Sequence, residues 1–429
     1  MDYIKYATKK ELFYWFYYAT LLFILLSWND NFLPPPMIYR LAFLFAVIIP
    51  TFWKQEWTAP IMLLFIVSGT QGFSYSYMPY DTYIYVFILA FLAMVYGRFK
   101  RHSIQIPRLL IGMLIYVTLV NCVTNMEWHK ISESILLTLL FCLFIDVGNE
   151  KQIDMMSDAF AICSLVLSYQ FFKYFSLTAV LNVSGFEQGG WTDRNYFGVI
   201  VGMGALVSII QLLTKKKIDV IRRGLYIASI VVTTITLGMN ASRGAVISLG
   251  GSVLMFLMFA KLNAGKKVLM VLSIVSMLFI MLNYDVFDYL IYRMENDDGT
   301  GSGRMIIWQN KLNAYNGVGV LNKLFGLGHT GGLTLGYNNV TTGFHNEFLA
   351  MLMEYGIVGL IILLGMLFGP CWKIRKQYTS MQAPVVVSLC LYLIITAFTL
   401  EPLTTGFCSF FLFYSYIIMW RNYRIKQNL

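Results

Sequence analysis

The sequence predicts an all-α integral membrane protein with about 12–14 transmembrane helices, and three observations predict it. Apolar stretches of about 17–25 residues, long enough to cross a hydrocarbon core, recur from one end of the chain to the other. Hydrophobic residues make up 58% of the 429 and charged residues only 13%, with a mean hydropathy of +0.64, too little polar surface to solvate a soluble domain of this size. Segments of alternating polarity are absent, which excludes an outer-membrane barrel. Lipid offers backbone groups no hydrogen-bond partner, so the spans are helical.

Fourteen candidate spans follow in order, at roughly 12–28, 38–53, 59–73, 82–97, 108–124, 131–147, 157–175, 195–213, 224–241, 243–260, 268–283, 346–369, 384–400 and 404–420. The first four are short and aromatic, so totals of twelve or thirteen also fit. Lys9 and Lys10 lead into "ELFYWFYYATLLFILLSW" with no small-residue cleavage site, and the first span is expected to stay as an anchor. Cys122, Cys142, Cys163, Cys371, Cys390 and Cys408 all fall in or beside apolar spans without a CxxC, which argues against a disulfide framework and a thiolate metal site. The chain reads as one polytopic domain, 1–429.

Orientation comes from the basic residues. With both termini in the cytoplasm, the inside segments hold 23 of the 32 lysines and arginines, as the positive-inside rule requires. The net charge of +10 thus reports loop asymmetry and not a nucleic-acid partner. Two outer segments exceed simple turns. One runs from about 176 to 194 and ends "GGWTDRN"; the other, 284–345, holds the densest polar chemistry in the chain. Met305, Trp308, Leu312 and Tyr315 recur there at helical spacing, which predicts an ordered amphipathic helix at the membrane surface.

Among the ionisable residues that this topology leaves outside, three arginines stand out: Arg194 in "WTDRNYFG", Arg243 in "NASRGAV" and Arg304 in "GTGSGRMIIWQN". His345, at the mouth of the twelfth span in "GFHNEFLAMLMEYGIVGL", shares their depth. Singly, each has a plain reading. A helix-end arginine snorkels to headgroups, glycine-rich stretches punctuate loops, and Asn346 with Glu347 is an N-cap and a first-turn acid. Together they suit one kind of substrate. Guanidinium groups hold phosphates through paired, charge-assisted hydrogen bonds, and they stabilise the charge that develops as a diphosphate leaves. A histidine of near-neutral pKa can take the proton of an attacking hydroxyl, with Glu347 orienting it. A diphosphate with its tail in the bilayer, plus a hydroxyl nucleophile, describes glycosyl transfer from a polyprenyl-diphosphate-linked sugar. Trp191, Trp308 and Tyr337 are candidate sugar-stacking rings, core or interfacial packing being the plainer alternative.

"ASRGA", "GSGRMIIW", "LFGLGH" and "HNEFLAMLMEYGIVGL", in that order over roughly residues 190–370, resemble the O-antigen polymerase/ligase family (the Wzy and WaaL proteins). "TDRN" is similar to that family's Asp-x-Asn element. The resemblance implies a membrane glycosyltransferase of the GT-C type, acting on undecaprenyl-diphosphate-linked glycans at the non-cytoplasmic face of a bacterial inner membrane, without cofactor, metal or nucleotide sugar. It assigns Arg243 and Arg304 to the diphosphate and His345 to the chemistry. It leaves Arg194 less defined and gives His329 no role. Expected partners are the lipid-linked oligosaccharide, the bilayer and, as a further candidate, a chain-length regulator.

Polymerase is the expected activity, moving a growing glycan onto the terminal hydroxyl of another lipid-linked repeat unit. A ligase that moves the finished glycan to a lipid core or a protein shares the donor chemistry. A flippase or transporter is the rival of another class; charges clustered on one face, with spans nearly free of charge, argue against it. Reporter fusions after residues 217, 265 and 375 should read cytoplasmic, and those near 190 and 320 external. A cytoplasmic reading at 320 would put the arginines on the wrong side for this chemistry.

Overall fold

The computed structural model describes residues 18–19, 55–72, 107–124, 130–145, 149–174, 194–215, 217–283, 288–295, 303–337, 341–375, 381–405 and 408–423. Among these the chain is all-α. The helices are α1 (Thr58–Gly72), α2 (Arg108–Thr124), α3 (Lys130–Cys142), α4 (Glu150–Tyr174), α5 (Arg194–Thr214), α6 (Val220–Asn240), α7 (Arg243–Phe259), α8 (Ala264–Asn283), α9 (Asp288–Glu295), α10 (Arg304–Asn316), α11 (Val320–Phe325), α12 (Gly328–Thr334), α13 (Glu347–Ile374), α14 (Gln382–Thr399) and α15 (Cys408–Asn422). Eleven expected spans fall on α1–α8 and α13–α15. Those expected at 12–28, 38–53 and 82–97 lie outside the described residues, Tyr18 and Ala19 excepted. Most of α4, with α5, α6, α13 and α14, is long and apolar enough to cross a membrane.

The core forms around α5. It is buried on every side from Phe197 to Gln211, as befits a helix apolar all round, and packs against α4, α6 and α7. From there α7 packs along α14, and α14 along α13 and α15. In α6 the usual amphipathic order is inverted. Ile227 and Val231 face outward, while Tyr226, Ser229, Thr233, Thr236 and Asn240 form a buried polar seam at three- and four-residue spacing. Lipid is as apolar as leucine, so membrane helices associate through small and polar faces instead. Ser229 and Ser164 make one such contact, their hydroxyls 2.8 Å apart.

The spans carry more charge than the sequence suggests. Helix α4 starts at Glu150, seven residues before the expected span, and so takes in Asp154 as well as Asp158; Glu354 lies inside α13. Asp158 is buried, and its two oxygens accept from Arg222 Nε (2.9 Å) and Tyr226 OH (2.6 Å). Lys215 meets Asp154 at 2.9 Å. Pairing and hydrogen bonding offset the desolvation penalty that would otherwise exclude these groups.

Helix α13 is broken at Gly356, whose φ of 66° and ψ of −170° are non-helical. Carbonyls near the break find other donors: Tyr116 OH donates to Tyr355 O (2.7 Å), and Leu327 N–H donates to Met353 O (3.1 Å). Helix α11 packs against α13 here, so closely that a Cβ on Gly356 would lie 2.3 Å from Leu324 O. Gly356→Ala should therefore add about 1–3 kcal/mol of backbone strain on top of that clash. A fall in thermal stability in detergent, larger than for Gly250→Ala, where a Cβ meets open space, is the expected measurement.

Candidate active site

Each of the three arginines is the first residue of a helix: Arg194 of α5, Arg243 of α7 and Arg304 of α10. A helix start carries positive partial charge, so a cation there is disfavoured unless an anion joins it. Neither Ser242, which precedes α7, nor Gly303, which precedes α10, caps its helix with a side chain. The α5 and α7 starts are joined directly. Asn240 Nδ2 donates to Arg194 O (2.8 Å), and Ser242 Oγ to Asn195 Oδ1 (3.3 Å). A left-handed Ala241 (φ 52°) turns the chain sharply between α6 and α7.

His345 sits in a segment held by exchanged carboxylates. It has a left-handed φ of 50°, a conformation that a non-glycine residue holds only when its surroundings impose it. Glu401, in the turn after α14, accepts the Phe344 N–H (2.9 Å) and that of His345. In return Glu347 accepts the N–H groups of Leu403 (2.7 Å) and Thr404 (3.2 Å) in that same turn. Asn346 caps α13 through the N–H groups of Phe348 and Leu349, as expected. Burial pushes the Glu401 carboxyl up from its ordinary range, against the pull of the two amides.

Helix α10 closes on the segment from the other side. Trp308 Nε1 donates to Phe344 O (2.6 Å). Lys311, fully buried, donates to Gly332 O (3.0 Å) and Leu333 O (2.8 Å), with its ammonium 4.2 Å from the centre of the Phe344 ring. Desolvation brings the Lys311 pKa down to about 8, with Glu354 and Glu401 pulling the other way. These contacts decide which face α10 buries: Met305 and Leu312 are exposed, Trp308 is half-buried, and Lys311 and Tyr315 point inward. The expected helix is present, but its four apolar residues do not share one environment. On the far side of the turn, Thr405 Oγ1 meets Tyr196 OH at 3.4 Å, beside Arg194. One run of contacts thus links the starts of α5 and α7 to His345 and on to α10.

Residues 227–364 match the family model described as O-antigen ligase. The matched segment holds Arg243, Arg304, His345 and Glu347, and ends before Glu401. Among curated proteins, none matches the chain. The family match supports a membrane-embedded glycosyltransferase-like enzyme of the O-antigen ligase or polymerase type.

The expected site residues are placed as follows. Arg194 is buried, and Arg243 and Arg304 are half-buried. The hydrogen bonds of Glu347 go to the 401–405 turn and not to His345. Tyr337 OH accepts weakly from Asn310 Nδ2 (3.4 Å), and Trp191 lies outside the described residues. Sequence reasoning missed Glu401, Lys311 and the pairing of His329 with Glu354 (2.8 Å). A lone carboxylate between two apolar spans, as in "TLEPLTTGF", was the available signal for Glu401. Glu401→Ala should leave the amides of Phe344 and His345 without their acceptor, a loss of about 1–3 kcal/mol. Protease cleavage at 341–347 in lipid nanodiscs should rise accordingly. Glu401→Gln, which keeps one acceptor oxygen, should fall between the two.

Proposed function

We propose that this protein is a polysaccharide polymerase of the extracytoplasmic membrane face. It transfers a glycan from a polyprenyl diphosphate to the terminal hydroxyl of another lipid-linked repeat unit. The observation that carries this reading is the placement of Arg194, Arg243 and Arg304 at three helix starts tied by hydrogen bonds to one another or to the His345 segment. Helix dipole and guanidinium both favour an anion there, and a diphosphate is the anion that a lipid carrier presents at headgroup depth.

In the reaction, His345 takes the proton of the acceptor hydroxyl. The oxygen's electron pair forms the new glycosidic bond at the anomeric carbon. The bond from that carbon to the diphosphate breaks, its electrons leaving on the phosphate oxygen, where Arg243 and Arg304 stabilise the charge. Arg194 assists in binding. Glu347 positions the imidazole through the 401–405 turn, and Trp308 and Tyr337, with Trp191, contact sugar. Charge that a metal would otherwise supply comes from guanidinium groups. A chain-length regulator is a proposed partner.

Purified enzyme with lipid-linked repeat units as both donor and acceptor should make a ladder of longer glycans. A ligase would need a separate lipid-core or protein acceptor, and a transporter would make no new bond. Arg243→Lys and Arg304→Lys should each lose most transfer with insertion intact, because an ammonium cannot reproduce a two-pronged phosphate contact. His345→Ala should keep donor binding and lose about 10²–10⁴-fold in rate, and His345→Asn should not recover it. Normal polymer from both lysine variants would remove the arginines from the diphosphate site.

A further inference from the structure

The glycine-rich stretch 326–332 builds something more specific than a turn. His329 Nδ1 lies 2.8 Å from Glu354 Oε2, pairing α12 with the first half of the broken α13. Glu354 is fully buried in an apolar helix, and among the described residues its second oxygen, Oε1, has no hydrogen-bond partner. A carboxylate kept so deep with half its acceptors unmet is costly, and intramembrane ionisable groups persist mainly where function requires them. The loop backbone hugs this carboxylate: a Cβ on Gly332 would lie 2.4 Å from Glu354 Cγ, so only glycine fits.

Three other elements fix the pair. Asn121 of α2 accepts the His329 backbone N–H (3.2 Å) and donates to Tyr355 OH (3.2 Å). Lys311 of α10 holds the carbonyls of Gly332 and Leu333. Leu327 N–H bonds Met353 O, one residue before Glu354. The imidazole itself is not sealed in, for its side chain keeps 19% of its surface exposed while that of Glu354 keeps none. A carboxylate on one ring nitrogen fixes the tautomer and the ring orientation, and makes the other nitrogen a better acceptor. The pair also adjoins the proposed centre. Lys311 bonds the carbonyls at 332–333 and stacks on Phe344, next to His345.

Resting on the polymerase reading, we propose that His329, oriented by Glu354, is the acceptor-sugar contact, accepting a hydrogen bond from a ring hydroxyl next to the one that attacks. Acceptor recognition and proton removal are then divided between His329 and His345. No bond is made or broken at His329. Glu354 is a positioning residue.

The test uses full-length enzyme in nanodiscs, a polyprenyl-diphosphate-linked repeat unit as donor, and synthetic repeat units, intact or lacking one hydroxyl each, as acceptors. His329→Gln should raise the acceptor KM about 3–10-fold, the worth of one hydrogen bond between neutral groups, and leave the donor KM unchanged. One deoxygenated acceptor should cost the wild type a similar factor and cost His329→Gln nothing more. Glu354→Gln should give a loss confined to the acceptor in the same way. An unchanged acceptor KM in His329→Gln, or equal losses in wild type and variant for every deoxygenated acceptor, overturns the proposal. Loss of donor binding by both variants marks the pair as structural and also overturns it. A wild type that transfers nothing from the lipid diphosphate, yet binds it, brings down the polymerase reading and this contact with it.

Discussion

The exchange of carboxylates between residues 341–347 and the turn at 401–405 is the constraint on which the site depends. Both segments lie at helix ends, where backbone N–H groups have no partner in the helical ladder. Glu401 satisfies those of Phe344 and His345, and Glu347 those of Leu403 and Thr404. Each segment thus supplies the acceptor that the other lacks, and neither conformation is defined alone. The left-handed backbone of His345 follows from this clasp. So does the route by which the α14 end, the α5 start and α10 reach one region.

The two ends of the bundle use the same residue types differently. Away from the site, Asp158 is closed off by Arg222 and Tyr226, and Lys215 by Asp154, so each buried charge meets its opposite. At the site end, the carboxylates of Glu401 and Glu347 are spent on backbone amides, and arginines begin three helices. Paired ions hold a bundle together. Cations at helix starts favour the arrival of an anion.

The break at Gly356 couples the loop to the membrane domain. An unbroken α13 would satisfy its own carbonyls and offer nothing to α11, α12 or Tyr116. Breaking it there hands Met353 O and Tyr355 O to outside donors, and so fixes the loop by backbone hydrogen bonds as well as by packing. The glycines of 326–332 let the loop come close enough for those bonds to form.

Much of the fold was legible in the residues themselves. Apolar length is a local quantity that lipid reads directly, so eleven helices could be placed to within a few residues or one to two turns, five of them long and apolar enough to cross a membrane. The three arginines and His345 stood out because charged and titratable groups beside apolar spans are rare enough to need a reason. The inward contacts of α10 were not legible: the apolar spacing marked Met305, Trp308, Leu312 and Tyr315, whereas the helix is held to its neighbours by hydrogen bonds from Trp308 and Lys311. Nor was the pairing of Glu401 with Phe344, 57 residues away, or that of His329 with Glu354 on a different helix. Sequence by itself determined which segments form apolar helices and which residue types lie at their ends, because both follow from single side chains and their immediate neighbours. Only the tertiary structure decided which carboxylate serves which amide or imidazole, because that depends on distances between segments that no local pattern records.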